Sequence, residues 1–219
     1  EGLADSLKAI GNKPGIIFCN YKDTIAGISE FLTSKDISHG LFYGGLEQID
    51  RERALIKFRN GTHQLLLATD LAARGIDVPE IKFIIHYELP YKEKEFTHRN
   101  GRTARMNAEG TAYVLTRKGA QLPDYMPELE DANLAGGKDL KPSEWTTLYI
   151  TGGKKDKISK GDIAGLFMKQ AGLEPYEVGH IEIKLDSTFV SVHKTQLSKA
   201  IAKTNNTRVK KKKVRVSEA

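Results

Sequence analysis

The sequence predicts an α/β chain: a parallel sheet with helices on both faces, followed by a small α+β unit of βαββαβ order. Three observations predict it. Short apolar runs (IIFC, LLLA, FIIH) alternate with stretches whose apolar residues recur at helical spacing, and uninterrupted apolar strands belong to parallel sheets buried on both faces. The alternation breaks between Lys118 and Glu144, where Pro123, Pro127, Gly136, Gly137 and Pro142 fall. Beyond that break the charge changes sign: residues 1–140 carry 18 Lys and Arg against 20 Asp and Glu, and residues 141–219 carry 16 against 8.

The elements follow in order. EGLADSLKAIGNKPG reads as a short helix running into a Pro-Gly turn. PGIIFCN (14–20) is a strand, and Ile25, Ile28, Phe31 and Leu32 recur behind it at helical spacing. HGLFYGG is a second strand ending in two glycines. A helix from Leu46 to Asn60 uses Ile49, Leu55, Ile56 and Phe58 as apolar positions and stops at Asn60-Gly61. QLLLATD and KFIIHYELP are the third and fourth strands, residues 92–103 a helix after Pro90, and GTAYVLT the fifth strand. A short helix is expected around Met126–Leu134. The division is then a first domain over 1–138, a linker over 139–144 and a second domain over 145–219. The second domain reads as strand TLYIT, loop GGKKDK, helix 160–171, strands HIEIKLD and TFVSVHK, helix 195–204 and strand VKKKKVRV. That order is the one shared by RNA-recognition modules.

Composition narrows the function classes. No apolar run approaches the roughly 20 residues that cross a bilayer, so no membrane is expected. Cys19 is the single cysteine and lies in an apolar run; it reads as a small core residue in a reducing, cytoplasmic setting. No metal site is expected in the chain. The basic second domain points to a polyanion partner.

Two stretches carry the chemistry. HRNGRTAR (98–105) places one histidine and three arginines in eight positions. At about 100° per residue, His98, Arg102 and Arg105 fall on one helical face and Arg99 to the side. The alternative is a solvated basic face, although Gly101 and Thr103 would let another surface approach closely. In LLLATDLAARGID (65–77) a strand ends at Thr69-Asp70, with Arg74 and Asp77 following. By itself this could be an ordinary strand-to-helix junction capped by Asp70.

Together these stretches resemble the second RecA-like domain of DEAD-box RNA helicases. GIIFCN is similar to motif IV, YGGLEQIDR to the segment holding the QxxR element (Gln48 and Arg51), LLLATDLAARGID to motif V and HRNGRTAR to motif VI, in that order over residues 14–115. The resemblance implies that Arg102 and Arg105 contact the β- and γ-phosphates of ATP, with Arg105 as arginine finger. It implies that His98 couples to a partner RecA-like domain, that Arg99 is structural or interdomain, that Asp77 binds the ribose and that Arg74 bridges toward the partner domain. Gly44, Gln48, Arg51 and Thr69 would contact RNA phosphates independently of sequence. The usual HRIGRTGR carries Asn100 and Ala104 here.

No GxxxxGK[ST] loop and no DEAD sequence occur in the chain. The expectation is therefore a C-terminal piece that hydrolyses no ATP alone, with Mg²⁺ and the triphosphate held by an N-terminal RecA-like domain outside this sequence. Residues 145–217 resemble the RNA-binding domain that ends DbpA/YxiN-type bacterial DEAD-box proteins, which implies an RRM-like fold. Tyr149 and Phe189 are its candidates for base stacking, with Phe189 alternatively a packing residue. Lys154, Lys155 and Lys157 in the loop, and Lys211, Lys213 and Arg215 on one face of the last strand, are candidates for phosphates; the alternative is an edge strand protected by lysines. The resemblance implies structured ribosomal RNA as target, in ribosome assembly. The runner-up readings are a DNA-acting helicase of the same superfamily and a non-catalytic RNA-binding adaptor.

Overall fold

The computed structural model describes residues 2–70, 78, 81–103, 110–117, 119–133 and 135–219. The chain divides into two compact units, Glu1–Leu55 with His63–Pro142, and Ser143–Ala219 with Ile56–Thr62.

In the first unit, helix α1 (Gly2–Ile10) leads through the Pro14 turn into β1 (Gly15–Cys19). Then come α2 (Lys22–Ser34), β2 (His39–Phe42), α3 (Gln48–Arg59, of which the residues from Ile56 on belong to the second unit), β3 (Leu65–Thr69), β4 (Phe83–His86), α4 (Glu93–Asn100) and β5 (Thr111–Val114). The five strands form one parallel sheet in the order β2-β3-β1-β4-β5. The apolar runs are central for a physical reason: every residue of β1 and β4 is buried, so both faces of each must be apolar or hydrogen-bonded. One face packs Ile17, Cys19, Leu65, Leu67, Phe83 and Ile85 under α1 and α2. Cys19 is fully buried, and burial foremost pushes its thiol up to about 12, which makes it a packing residue.

Four expectations differ in this unit. Ile49 is 57% exposed, so α3 turns Ile56 and Phe58 inward but not its first turn. The helix predicted over 92–103 ends at Asn100: Gly101 N–H makes the last bond of α-helical spacing, to Thr97 O, and the chain then tightens into turns, Arg102 N–H to Arg99 O and Thr103 N–H to Asn100 O. No helix forms among the described residues between 126 and 133, where Pro127 interrupts the segment. The predicted linker is docked at its start, with Leu140 packed on the first core and Asp139 paired with Lys8 at 2.7 Å.

The second unit carries β6 (Trp145–Ile150), α5 (Lys160–Gly165) continued by a π-helical turn over Leu166–Gln170, β7 (Val178–Ile183), β8 (Thr188–His193) and α6 (Leu197–Thr204). Three short strands follow: β9 (Arg208–Val209), β10 (Lys212–Lys213) and β11 (Val216–Glu218). An antiparallel sheet in the order β11-β6-β8-β7 gives the expected βαββαβ arrangement. Leu148, Ile150, Val190, Val192 and Val216 line its core with Ile163, Phe167 and Ala200 from the helices.

The predicted strand VKKKKVRV is not continuous. Val209 pairs with Lys212 and Arg208 with Lys213, so Lys210-Lys211 is the turn of a hairpin and only Val216–Glu218 joins the sheet. Lys210 sits in the left-handed region at φ 53, a conformation that costs a non-glycine residue on the order of 1 kcal/mol. Its ammonium offsets this by bridging Asp162 at 3.0 Å and donating to the Lys157 carbonyl.

Candidate functional site

The parallel sheet determines where the polar ends of its strands meet. Cys19 pairs with Thr69 and Phe42 with Ala68, so Asn20, Gly44 and Thr69-Asp70 emerge side by side at the carboxyl edge, beside the exit of β4 at His86–Leu89. Ligands of open α/β sheets gather at this edge.

Arg99 holds the edge together. Reaching in from α4, it is 1% exposed, and its guanidinium uses all five N–H donors. Nε and Nη2 donate to the two Asp70 oxygens at 2.6 Å each. Nη1 donates to Glu88 O at 2.6 Å and to His86 Nδ1 at 3.5 Å, and Nη2 donates to Asn20 Oδ1 at 2.8 Å. The plane also lies over the Phe18 ring, 5.1 Å from its centroid. Glu88 closes the cluster by accepting from Asn20 N–H at 2.7 Å and Thr24 Oγ1 at 2.9 Å. Asp70 is therefore the buried arginine's counter-ion as well as a strand-end residue. Sequence phase alone set Arg99 aside; its burial is the signal that was missing.

Asn100 finds its reason here. His86 is fully buried on β4, with its ring stacked 4.7 Å from Phe96. Burial foremost, with the Arg99 charge, brings its pKa down to about 4, so the ring is neutral at pH 7. Because Arg99 can only donate, Nδ1 is the acceptor and the proton sits on Nε2, which donates to Asn100 Oδ1 at 2.9 Å. The polar residue in motif VI thus satisfies a buried imidazole that an apolar residue would leave unpaired.

The other candidates divide. His98 is exposed on the last turn of α4, and Arg102 is half-buried in the turn after it. Arg74, Asp77 and Arg105 lie outside the described residues, as does Ala104. Gly44 and Gln48 are exposed and Thr69 is half-buried. Arg51 packs its guanidinium 5.2 Å over Phe42, and its buried Nε has no hydrogen-bond partner among the described residues.

In the second unit, Tyr149 and Phe189 are direct cross-strand partners with rings edge-to-face at 5.4 Å, on the sheet face opposite the core. Phe189 is only 5% exposed, so it packs under the Tyr149 edge and is no open stacking platform. The loop after β6 is built by close approach. A Cβ on Gly153 would stand 2.4 Å from Lys184 O, and Asp156 accepts the Gly153 N–H at 3.1 Å. Lys154, Lys155 and Lys157 are left exposed around this turn, and Lys211, Lys213 and Arg215 are exposed as well. Lys210 instead turns to Asp162, whose carboxyl is held down to about 2 by Ser159 first and by Lys210. Among the described residues, no group of His, Cys, Asp and Glu could hold a metal ion, and no helix is long and apolar enough to cross a membrane.

Comparison with known proteins gives each unit a counterpart. Residues 2–107 match the helicase conserved C-terminal domain, and residues 147–218 match the DbpA RNA binding domain. The ATP-dependent RNA helicase DbpA of Escherichia coli K12 is 31% identical over 209 residues, covering 92% of this chain and 46% of its own length. The protein of the same name from Bacillus subtilis 168 is 28% identical over 249 residues, covering 99% of this chain and 52% of its own. The chain thus spans about half the length of these curated relatives. Among solved structures, the E. coli DEAD-box protein SrmB superposes with a TM-score of 0.49 at 30% identity, over 51% of this chain and 66% of that one. With both of its domains accounted for, the chain belongs to the DbpA-type DEAD-box RNA helicases, of which it is the C-terminal part.

Proposed function

We propose that this chain is the C-terminal part of a bacterial ATP-dependent RNA helicase that remodels structured RNA in the cytoplasm, with ribosomal RNA in ribosome assembly as its substrate. The observation that carries the reading is the fully satisfied Arg99 cluster, which ties the ends of β1, β3 and β4 to the helix presenting His98 and Arg102. A rigid base of this kind suits arginines that must reach a triphosphate held by another domain. In this reading Arg102 and Arg105 neutralise charge on the β- and γ-phosphates, Asp77 takes the ribose, and Arg74 and His98 face the partner RecA-like domain. Mg²⁺ and the triphosphate would be held by that domain. RNA phosphates would lie along Gly44, Gln48, Arg51 and Thr69, at the end of the sheet where Gly44 and Gln48 are exposed. The lysines of the second unit, Lys154, Lys155, Lys157, Lys211 and Lys213 with Arg215, would hold the targeted RNA, and Tyr149 offers the one partly open ring of its pair. Closure on ATP and RNA would bend one strand and part a short duplex, and hydrolysis would release it.

The test is ATP hydrolysis by the chain alone and fused to the N-terminal half of a DbpA relative. Hydrolysis is expected only in the fusion, stimulated by RNA rather than DNA, and lost by about 10³-fold or more in Arg105→Ala. RNA-independent ATPase in the 219-residue chain that survives Arg105→Ala would overturn the reading.

A further inference from the structure

Leu185 is 69% exposed at the tip of the β7–β8 hairpin. A lone exposed leucine on a protein surface calls for no explanation. This one differs in how it is held and in what surrounds it. The hairpin turn is closed by Lys184 N–H to Ser187 O at 2.8 Å. The loop after β6 then grips it from the side: Lys154 N–H donates to Lys184 O and Lys155 N–H to Leu185 O, each at 2.9 Å. Gly153 lies flat against the same turn, where any side chain would collide with Lys184 O and Ser187 N. The backbone on both sides of Leu185 is therefore fixed, and little ordering remains to be done when the side chain meets a partner.

The surroundings are cationic. Lys154, Lys155 and Lys157 are exposed on the gripping loop. Of the two acids at hand, Asp156 is turned inward onto the Gly153 N–H, and Asp186 stands exposed at the tip. A rigid apolar point ringed by ammonium groups matches one feature of a folded polyanion: a base whose face is open, bracketed by phosphates. Apolar side chains of this size insert against base faces where stacking is interrupted, whereas a continuous duplex presents base edges, 2′-hydroxyls and phosphates but no open base face. With Phe189 packed away, the large apolar groups this unit exposes among the described residues are Leu185 and Tyr176, with Tyr149 half-buried, and Leu185 sits directly against the lysine-bearing loop.

We infer that Leu185 caps the open face of an unpaired or helix-terminal nucleotide in structured RNA, with Lys154 and Lys155 holding the flanking phosphates. This rests on the proposed RNA binding by the second domain. It adds that the module selects RNA with an interrupted stack over an unbroken helix.

The test uses the whole 219-residue chain and two synthetic RNAs with the same stem: one with a flush end and a single bulged 2-aminopurine, the other a dumbbell with no bulge, both ends closed by non-nucleotide linkers so that no nucleotide is unpaired and neither end is open. Leu185→Ala, on an exposed side chain, leaves the fold intact. It should weaken binding to the bulged RNA about tenfold, abolish the 2-aminopurine response, and leave dumbbell affinity and the salt slope unchanged. The Lys154→Ala/Lys155→Ala double variant should instead weaken both RNAs and lower the salt slope by about two. Leu185→Ala binding both RNAs like the parent chain, or losing both equally, would overturn the inference while RNA binding itself stands. Failure of the parent chain to bind either RNA would bring down the RNA-binding reading together with it.

Discussion

His86 and Asn100 meet at 2.9 Å beneath the arginine-bearing segment, a buried imidazole donating to an amide in motif VI. Asn100→Leu should leave the Nε2–H of His86 buried without a partner, at a cost of about 1–3 kcal/mol. Adding His86→Leu should recover part of that loss. Urea unfolding of the two single variants and the double variant would read the coupling directly, and simple additivity would mean that the pair is not a unit.

The same histidine sets a pH dependence. Its folded pKa of about 4 lies below the ordinary value near 6.5. Between the two, the unfolded chain binds the extra proton, so stability is full above about pH 6.5 and falls as the pH drops toward 4, by up to about 3 kcal/mol. Melting curves across this window should show the fall, and His86→Gln should flatten it.

Arg99 cannot be replaced by another cation. Arg99→Lys keeps the charge, but a single ammonium cannot serve Asp70, Glu88 O, Asn20 and His86 together. Arg99→Ala strands the partly buried Asp70 carboxylate and should cost about 3–5 kcal/mol. Calorimetric unfolding should rank the parent above Lys and Lys above Ala. Equal stability of Lys and the parent would mean that the fork geometry is irrelevant.

Gly153→Ala would push a methyl into Lys184 O, 2.4 Å from the ideal Cβ position. Overpacking of this kind costs about 1–3 kcal/mol. It should also loosen the loop that carries Lys154 and Lys155, so the loss of RNA affinity should accompany the loss of amide-exchange protection at Lys154 and Lys155.

The lysine hairpin separates stability from binding. Lys210→Ala removes the Asp162 bridge and the tether to Lys157 O, so it should lower the melting temperature of the second unit. Lys211→Ala and Lys213→Ala should leave melting unchanged and reduce RNA affinity with a shallower salt dependence. A titration of each variant at two salt concentrations distinguishes the two roles.

Periodicity carried the architecture because burial of both sheet faces writes itself into continuous apolar runs: IIFC, LLLA and FIIH became β1, β3 and β4 within a residue or two. It failed where local hydrogen bonding ends or redirects an element. Helix 92–103 stopped at Asn100 when Gly101 capped it, and VKKKKVRV folded back at Lys210 under the pull of Asp162. The motif residues were legible by spacing and order, but spacing ranks charges by helical phase, and phase set the most buried arginine aside.

By itself, the sequence determined the strand-helix alternation, the division into an acidic and a basic half, and the four motifs that make this chain part of a DEAD-box helicase. Only the tertiary structure decided which charges are spent inside the protein and which face outward. Arg99, Lys210 and Asp156 are held by internal partners, Lys154, Lys155 and Lys211 are exposed, and Leu185 is presented where a strand pattern reads only a turn. The reason is physical: a charge or an apolar group takes its role from its desolvation and its partners, and those are set by residues far along the chain, as Asn20 is 79 positions from Arg99.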